Sequence, residues 1–397
     1  MSILPVLAPL LVFGLVVFVH ELGHFLAAKA VGIYAPVFSL GWGRRIWGVK
    51  RGETDYRLSL FPIGGYVRMA SREDEAMAAF EGGAGRGQLE DGAAVPRGEP
   101  GIAWDENAFV PFGPHGVPQD RWFESKPLWA KLVVMLSGVT MNFLLAIVVL
   151  SALRMTAGVA NPAPVIGSVL ANTPAAASGL LPGDSVVAID AAPIAAWRDL
   201  VAIVTTKAGT PLQVRVIRAG VEQRLTVTPA ATVDTNPQTG VVTTLGRIGA
   251  AGSRMRLGPV DALVDGVEST WGTVVATIDV LGGLLAGRVS PSQLGGPLMI
   301  AQASVQTAQN GGLEAVLALM ALISVNIAVL NLLPVPVLDG GQVLLALLES
   351  ARGKPLGERA KGLVMYAGVG LVLLLLVTTT FNDLARIGTQ VMGHFRG

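Results

Sequence analysis

Residues 2–28 read SILPVLAPLLVFGLVVFVHELGHFLAA. From Ser2 to Val19 there is no charged side chain, and the apolar pattern resumes from Phe25 to Ala28. A bilayer core takes about 20 residues of helix, so this stretch predicts a spanning helix. It lacks a basic n-region and carries two His and a Glu near its end. It therefore reads as a retained helix rather than a cleaved export signal.

Three more uncharged runs follow. Leu132 to Leu153 lies between Lys131 and Arg154, Ala315 to Leu338 between Glu314 and Asp339, and Gly362 to Asn382 between Lys361 and Asp383. The expected fold class is a polytopic α-helical membrane protein with four transmembrane helices. Composition agrees. Charged residues are 14%, against about 25% in soluble globular proteins, and the mean hydropathy is +0.57. An ordinary soluble enzyme is thereby excluded. With no Cys there is no disulfide, thiol nucleophile or Cys-based metal site. A net charge of +1 offers no broad basic surface, so no nucleic acid partner is expected.

A shorter stretch, Gly272 to Gly287, carries Asp279 and is expected to lie as a helix at or near the membrane surface. Basic residues mark sidedness. Arg44, Arg45, Lys50, Arg51, Arg57, Arg68, Arg72, Arg121 and Lys126 follow the first span, and Arg352, Lys354, Arg359 and Lys361 follow the third. The positive-inside rule puts both loops in the cytoplasm, with both termini and residues 155–310 outside. Residues 71–120, rich in Gly, Ala, Pro and Glu, read as a flexible cytoplasmic insert.

The strongest local signal is His20-Glu21-Leu22-Gly23-His24, an H-E-x-x-H pattern. Residues four apart share a helix face, so both imidazoles can reach one metal. Glu21 beside them can hold and deprotonate a water. Zinc (Zn2+) is the default ion for such a set. Ionisable groups at the end of an apolar helix are costly in lipid and mark an interior functional site. A catalytic zinc needs a third protein ligand. His115 and His394 lie in the insert and the tail, whereas Asp339 follows directly on the third apolar run. Pro334 and Pro336 before it cannot continue helix hydrogen bonding and bend or open that segment, whose freed backbone groups must face protein or a water-filled cavity.

These residues resemble the site-2 proteases, intramembrane zinc metalloproteases that include the bacterial regulators of sigma factor E cleaving anti-sigma factors. The likeness covers nearly the whole chain apart from the insert. Asn331 to Gly340 reads N-x-x-P-x-P-x-x-D-G, the family's second signature. The resemblance implies His20, His24 and Asp339 as zinc ligands and Glu21 as catalytic base. It also implies Asn331 near the substrate backbone or oxyanion. Gly41-Trp42-Gly43 and the segment Pro62 to Met69, with Gly64 and Gly65, resemble a membrane-embedded β-hairpin region, expected here to pair with a substrate strand. Gly296 to Ala301 resembles the segment before the third helix. In Gly138-Val139-Thr140-Met141-Asn142-Phe143, Val139 stands where the family has Pro, while Gly138 and Asn142 match. Asn142 is assigned with Asn331 to substrate or oxyanion.

Between spans two and three, short β-like runs alternate with turns at Thr173-Pro174 and at Gly179-Leu-Leu-Pro182-Gly183-Asp184. This is similar to one PDZ domain, able to take a peptide or a C-terminus, to filter by size, or to serve as a spacer. The expected organisation is helix 1 with H-E-x-x-H (1–30), a membrane-associated β-hairpin region (31–70), the insert (71–126) and helix 2 (127–158). Then come the PDZ domain (159–235), a linker with an amphipathic or interfacial helix (236–313) and helix 3 with the second signature (314–345). A cytoplasmic loop (346–361), helix 4 (362–383) and a tail (384–397) complete it. The expected enzyme is a zinc metalloendopeptidase of the bacterial inner membrane. Its partners are the lipid bilayer and a single-span membrane protein already clipped by another protease, such as an anti-sigma factor. The rival classes are a metal-binding scaffold that recruits partners without cleaving them, and a metal transporter.

Overall fold

The computed structural model describes residues 3–71, 118–235, 242–290, 295–354 and 356–396. Residues 72–117, the bulk of the expected insert with His115, lie outside them. In chain order the helices are α1 (Leu4–Ala30), α2 (Leu128–Thr156), α3 (Pro174–Ala177), α4 (Trp197–Thr206), α5 (Pro259–Leu285), α6 (Pro297–Asn331), α7 (Asp339–Arg352) and α8 (Glu358–Arg396). The chain divides into two compact units, Met1–Ser151 with Leu263–Gly397, and Ala152–Ala262.

In the first unit α1, α2, α6 and α8 each contain a segment long and apolar enough to cross a membrane. The protein is a polytopic helical membrane protein. Small residues let these helices approach closely. Ala8, Val12 and Val16 of α1 pack on Ala308, Val316, Met320 and Ile323 of α6. A Cβ at Gly23 would lie 2.5 Å from the Ser137 carbonyl oxygen of α2, so only glycine permits that crossing. α2 runs unbroken through Gly138–Phe143, with Val139 buried where a Pro was expected.

The helix expected over 272–287 begins earlier, at Pro259. It packs along α2 and α6 through Ala146, Val274, Ala321 and Val325. Thr277 Oγ1 donates to Asn326 Oδ1 at 2.7 Å. α6 stops at Asn331, and the chain then turns through Pro334 and Pro336 before restarting as α7 at Asp339. The prolines explain the break, since neither supplies a helical N–H. Gly340 and Gly341 allow the turn to fold back: a Cβ would lie 2.2 Å from the Leu332 oxygen and 2.0 Å from the Val335 oxygen, respectively. α8 is tied to α6 at one end, where both Asp383 carboxylate oxygens accept N–H bonds, from Gly296 and Met299, at 3.0 Å.

Strands β1 (Val37–Arg51) and β2 (Thr54–Arg68) form an antiparallel pair turned at Gly52 (φ 63°). It is not a flat hairpin. Both strands bend, with left-handed glycines at Gly41, Gly43 and Gly64. Val37–Leu40 consequently has partners on both sides, Arg68–Gly65 in opposite order and Asp55–Leu58 in the same order. The turn is pinned by Glu53, which pairs with Lys29 at the end of α1 and accepts two bonds from Arg121, at 2.7 and 2.9 Å. Arg121 is the main reason the Glu53 carboxyl is held below its usual range.

The second unit holds the remaining strands: β3 (Val159–Ala160), β4 (Ile166–Val169), β5 (Ser185–Ile189), β6 (Ala192–Pro193), β7 (Leu212–Arg218), β8 (Val221–Val227), β9 (Ala230–Thr235), β10 (Val242–Arg247), β11 (Ala250–Gly252) and β12 (Arg254–Met255). The order β6-β5-β7-β8 makes an antiparallel sheet, and β4 with β11, β9 with β10 and β3 with β12 form smaller antiparallel pairs. One core joins Ile166, Val186, Ile189, Leu200, Leu212, Val216 and Ile248. The unit thus reaches beyond the expected boundary at 235. Asp184, fully buried, is held by a two-pronged bond from Arg218, Nε to Oδ1 and Nη2 to Oδ2, each 2.7 Å.

Candidate metal centre

The helical register of α1 sets His20 and His24 one turn apart, with their Nε2 atoms 3.2 Å from each other. The first turn of α7 brings Asp339 to them. Its Oδ2 lies 3.3 Å from His20 Nε2, and its Oδ1 lies 3.5 Å from His24 Nε2. His24 Nδ1–H donates to the Val134 carbonyl of α2 at 2.8 Å, which leaves the Nε2 lone pair directed at the cluster. Two imidazole nitrogens and a carboxylate thus converge, and the buried Asp339 Oδ2 has no hydrogen-bond partner. With both Nε2 lone pairs free, such a convergence is favourable only with a cation among the donors. Ligands about 2.05 Å from a tetrahedral zinc lie about 3.3 Å apart, which is the spacing found here. The donors fit zinc in chemistry and in separation. Among the described residues this is the one His/Asp/Glu cluster that could hold a metal.

α2 supplies the room. A Cβ at Gly138 would stand 2.4 Å from His24 Nε2 and 2.7 Å from His20 Cε1. In the sequence Gly138 is only part of a pattern, and its clearance role depends on the crossing of α1 and α2. The role of the Val134 carbonyl is not legible in the sequence, because backbone partners carry no residue signature.

Glu21 lies beside the cluster. Its carboxylate accepts a backbone bond from Val67 and is coupled electrostatically to His20, His24 and Asp339. Gly65 packs close by: a Cβ there would meet the Ser39 oxygen at 2.7 Å and Glu21 Cγ at 3.6 Å. Gly41, Gly43 and Gly64 lie farther along the bent strands, where Gly43 faces the Phe61 ring and Gly64 faces Trp42. Asn331 closes α6 and makes no hydrogen bond to the three ligands among the described residues. Asn142 is fully buried, its Nδ2 3.4 Å from His20 Nδ1. The fold of α2 aims it at the histidine rather than at open space.

Comparison with known proteins agrees with this geometry. Residues 8–375 match the description "Peptidase family M50". A protein of Agrobacterium fabrum whose name carries the words zinc metalloprotease is 35% identical over 387 residues, 95% of each chain. The regulator of sigma-W protease RasP of Bacillus subtilis is 31% identical, covering 96% of this chain and 98% of its own. The zinc metalloprotease RasP of Bacillus licheniformis is 31% identical, covering 96% and 99%. With a helical membrane scaffold, a zinc-spaced donor set and a match along nearly its whole length, this chain belongs to peptidase family M50, the site-2 family of intramembrane zinc metalloproteases.

Proposed function

We propose that the protein hydrolyses peptide bonds within or beside the membrane-spanning segment of single-span membrane proteins. The observation that carries this is the placement of Glu21 beside three zinc-spaced donors in a bundle of membrane-length helices. His20, His24 and Asp339 hold the metal. When bound, zinc supplies a Lewis acid that acidifies water and polarises a carbonyl. Glu21 takes the proton from the attacking water and passes it to the leaving amine. Asn331, at the mouth of the opened segment, assists the developing oxyanion.

A helical substrate hides its carbonyls in its own hydrogen bonds and must unwind before attack. Strand Gly65–Arg68 then offers its edge to the unwound segment as an added strand. Gly41, Gly43, Gly64 and Gly65 serve this by bending the pair and letting its backbone reach Glu21. Exposed Trp42, Ile46, Trp47 and Phe61 on the outer bends suit immersion in lipid. The unit Ala152–Ala262 acts as a single PDZ-type domain on the outer side, docking a clipped C-terminus or excluding large ectodomains. Basic residues in the loops after spans one and three put the metal centre toward the cytoplasm and the termini outside, in a bacterial inner membrane. An anti-sigma factor is the substrate class, by analogy with the printed name of the Bacillus subtilis relative.

The test is Glu21→Gln in vesicles with a single-span substrate. The variant keeps zinc and loses cleavage by about 100-fold or more. Cleavage at the wild-type rate would overturn the assignment of Glu21, and absence of cleavage by both forms on a panel of substrates would favour a scaffold.

A further inference from the structure

Asn142 sits in the middle of α2 with none of its surface exposed. Its backbone oxygen accepts a bond from the Ser324 hydroxyl of α6 at 2.8 Å, which anchors this turn of α2 in the bundle. Its amide nitrogen lies 3.4 Å from His20 Nδ1. Its amide oxygen is buried and has no hydrogen-bond partner. A buried acceptor left alone is costly and calls for a reason.

The reason follows from what a metal asks of His20. A neutral imidazole that gives Nε2 to a metal carries its one proton on Nδ1, and that N–H needs an acceptor. For His24 the acceptor is the Val134 carbonyl. For His20 the facing polar group is the Asn142 amide. A half-turn of the amide about Cβ–Cγ exchanges its nitrogen and oxygen in place. The lone oxygen then accepts the His20 Nδ1 proton, and the Nε2 lone pair is left for the metal.

We propose that Asn142 is a positioning residue that holds His20 in the metal-ligating tautomer by accepting its Nδ1 proton. This rests on the reading of His20 as a zinc ligand. It assigns Asn142 to the metal rather than to the substrate, and gives the two histidines matching outer partners from one helix.

The test measures zinc affinity of the full-length protein in detergent, by competition with a chromophoric chelator, for His20→Ala, Asn142→Leu and Asn142→Asp. Thermal unfolding of each metal-free form is followed in parallel. Leu keeps the shape and removes the acceptor, so affinity falls about 10–100-fold while the metal-free unfolding temperature stays close to wild type. Asp offers an acceptor in either orientation and restores affinity to wild type or above, which a packing role for Asn142 would not produce. Wild-type affinity in Asn142→Leu, or an equal loss in Asp and Leu, overturns the proposal. If Leu fails to fold, Asp decides alone, and a tenfold loss in it counts against. His20→Ala separates the two readings: zinc retained there sinks the ligand assignment itself, whereas zinc lost there but held by Asn142→Leu sinks only the role of Asn142.

Discussion

His20 Nε2 and Asp339 Oδ2 lie 3.3 Å apart although 319 positions separate them in the chain, and the carboxylate oxygen is buried without a hydrogen bond. Two elements with no local reason to meet are thus brought to the spacing of two ligands on one zinc ion. The ligand set follows as the first prediction. Asp339→Ala and His24→Ala each lower zinc affinity by about 100-fold or more, beyond the range for outer partners. Metal analysis of the purified variants checks this, and full zinc occupancy in either would remove that residue from the set.

Gly138 gives a sharper test, because alanine is the better helix former. A methyl at this position would stand 2.4 Å from His24 Nε2. Gly138→Ala should leave α2 intact, push the imidazole aside and weaken zinc binding about 10–100-fold. Zinc titration with circular dichroism on the same sample reads both quantities. Normal zinc affinity would mean that the histidines have more room than the crossing allows.

Val67→Pro removes the backbone N–H bonded to Glu21 and blocks one hydrogen-bonding position on the strand edge. Zinc occupancy should be unchanged, since no ligand is touched. Cleavage of a single-span substrate should slow by at least about tenfold, the scale of one positioned hydrogen bond. Unchanged kinetics would exclude the edge of Gly65–Arg68 from substrate handling.

The Asp184–Arg218 pair predicts that the unit Ala152–Ala262 is acid-sensitive. Arg218 holds the Asp184 carboxyl below its ordinary value, with the Leu181 N–H adding to the effect. A carboxyl whose value is lowered by folding contributes stability above its unfolded pKa, about 3.9. That contribution fades as pH falls through the lower folded value. Asp184→Asn should therefore unfold several degrees earlier than wild type at pH 7, and the gap should close below about pH 4. A gap that stays constant down to pH 3 would refute the linkage. Melting of the full-length protein, followed through Trp197 fluorescence against a Trp197→Phe reference, reports on this unit.

Much of the scaffold was legible in the chain. A run of uncharged residues long enough to span lipid has few alternatives, because unpaired backbone polar groups cannot be left in hydrocarbon. Helical periodicity alone put His20 and His24 on one face. Pro334 and Pro336 foretold the end of α6, since their rings deny the helix its bonds. Element ends were less legible. α5 starts at Pro259 rather than Gly272, because Asp261, Asp265 and Glu268 in its first turns interrupt the apolar run.

Sequence by itself determined the membrane-length helices, the types of the candidate donors and the placement of Glu21 beside two of them, because these depend on composition and on spacing within one helix. Tertiary structure alone decided the rest. It brought Asp339 to the histidines, opened space for them at Gly138, bent β1 and β2 until Val67 reached Glu21, and turned Asn142 toward His20. Each of these depends on how two helices cross or how a strand bends, and such contacts are set by packing between segments remote in sequence, which no local pattern records.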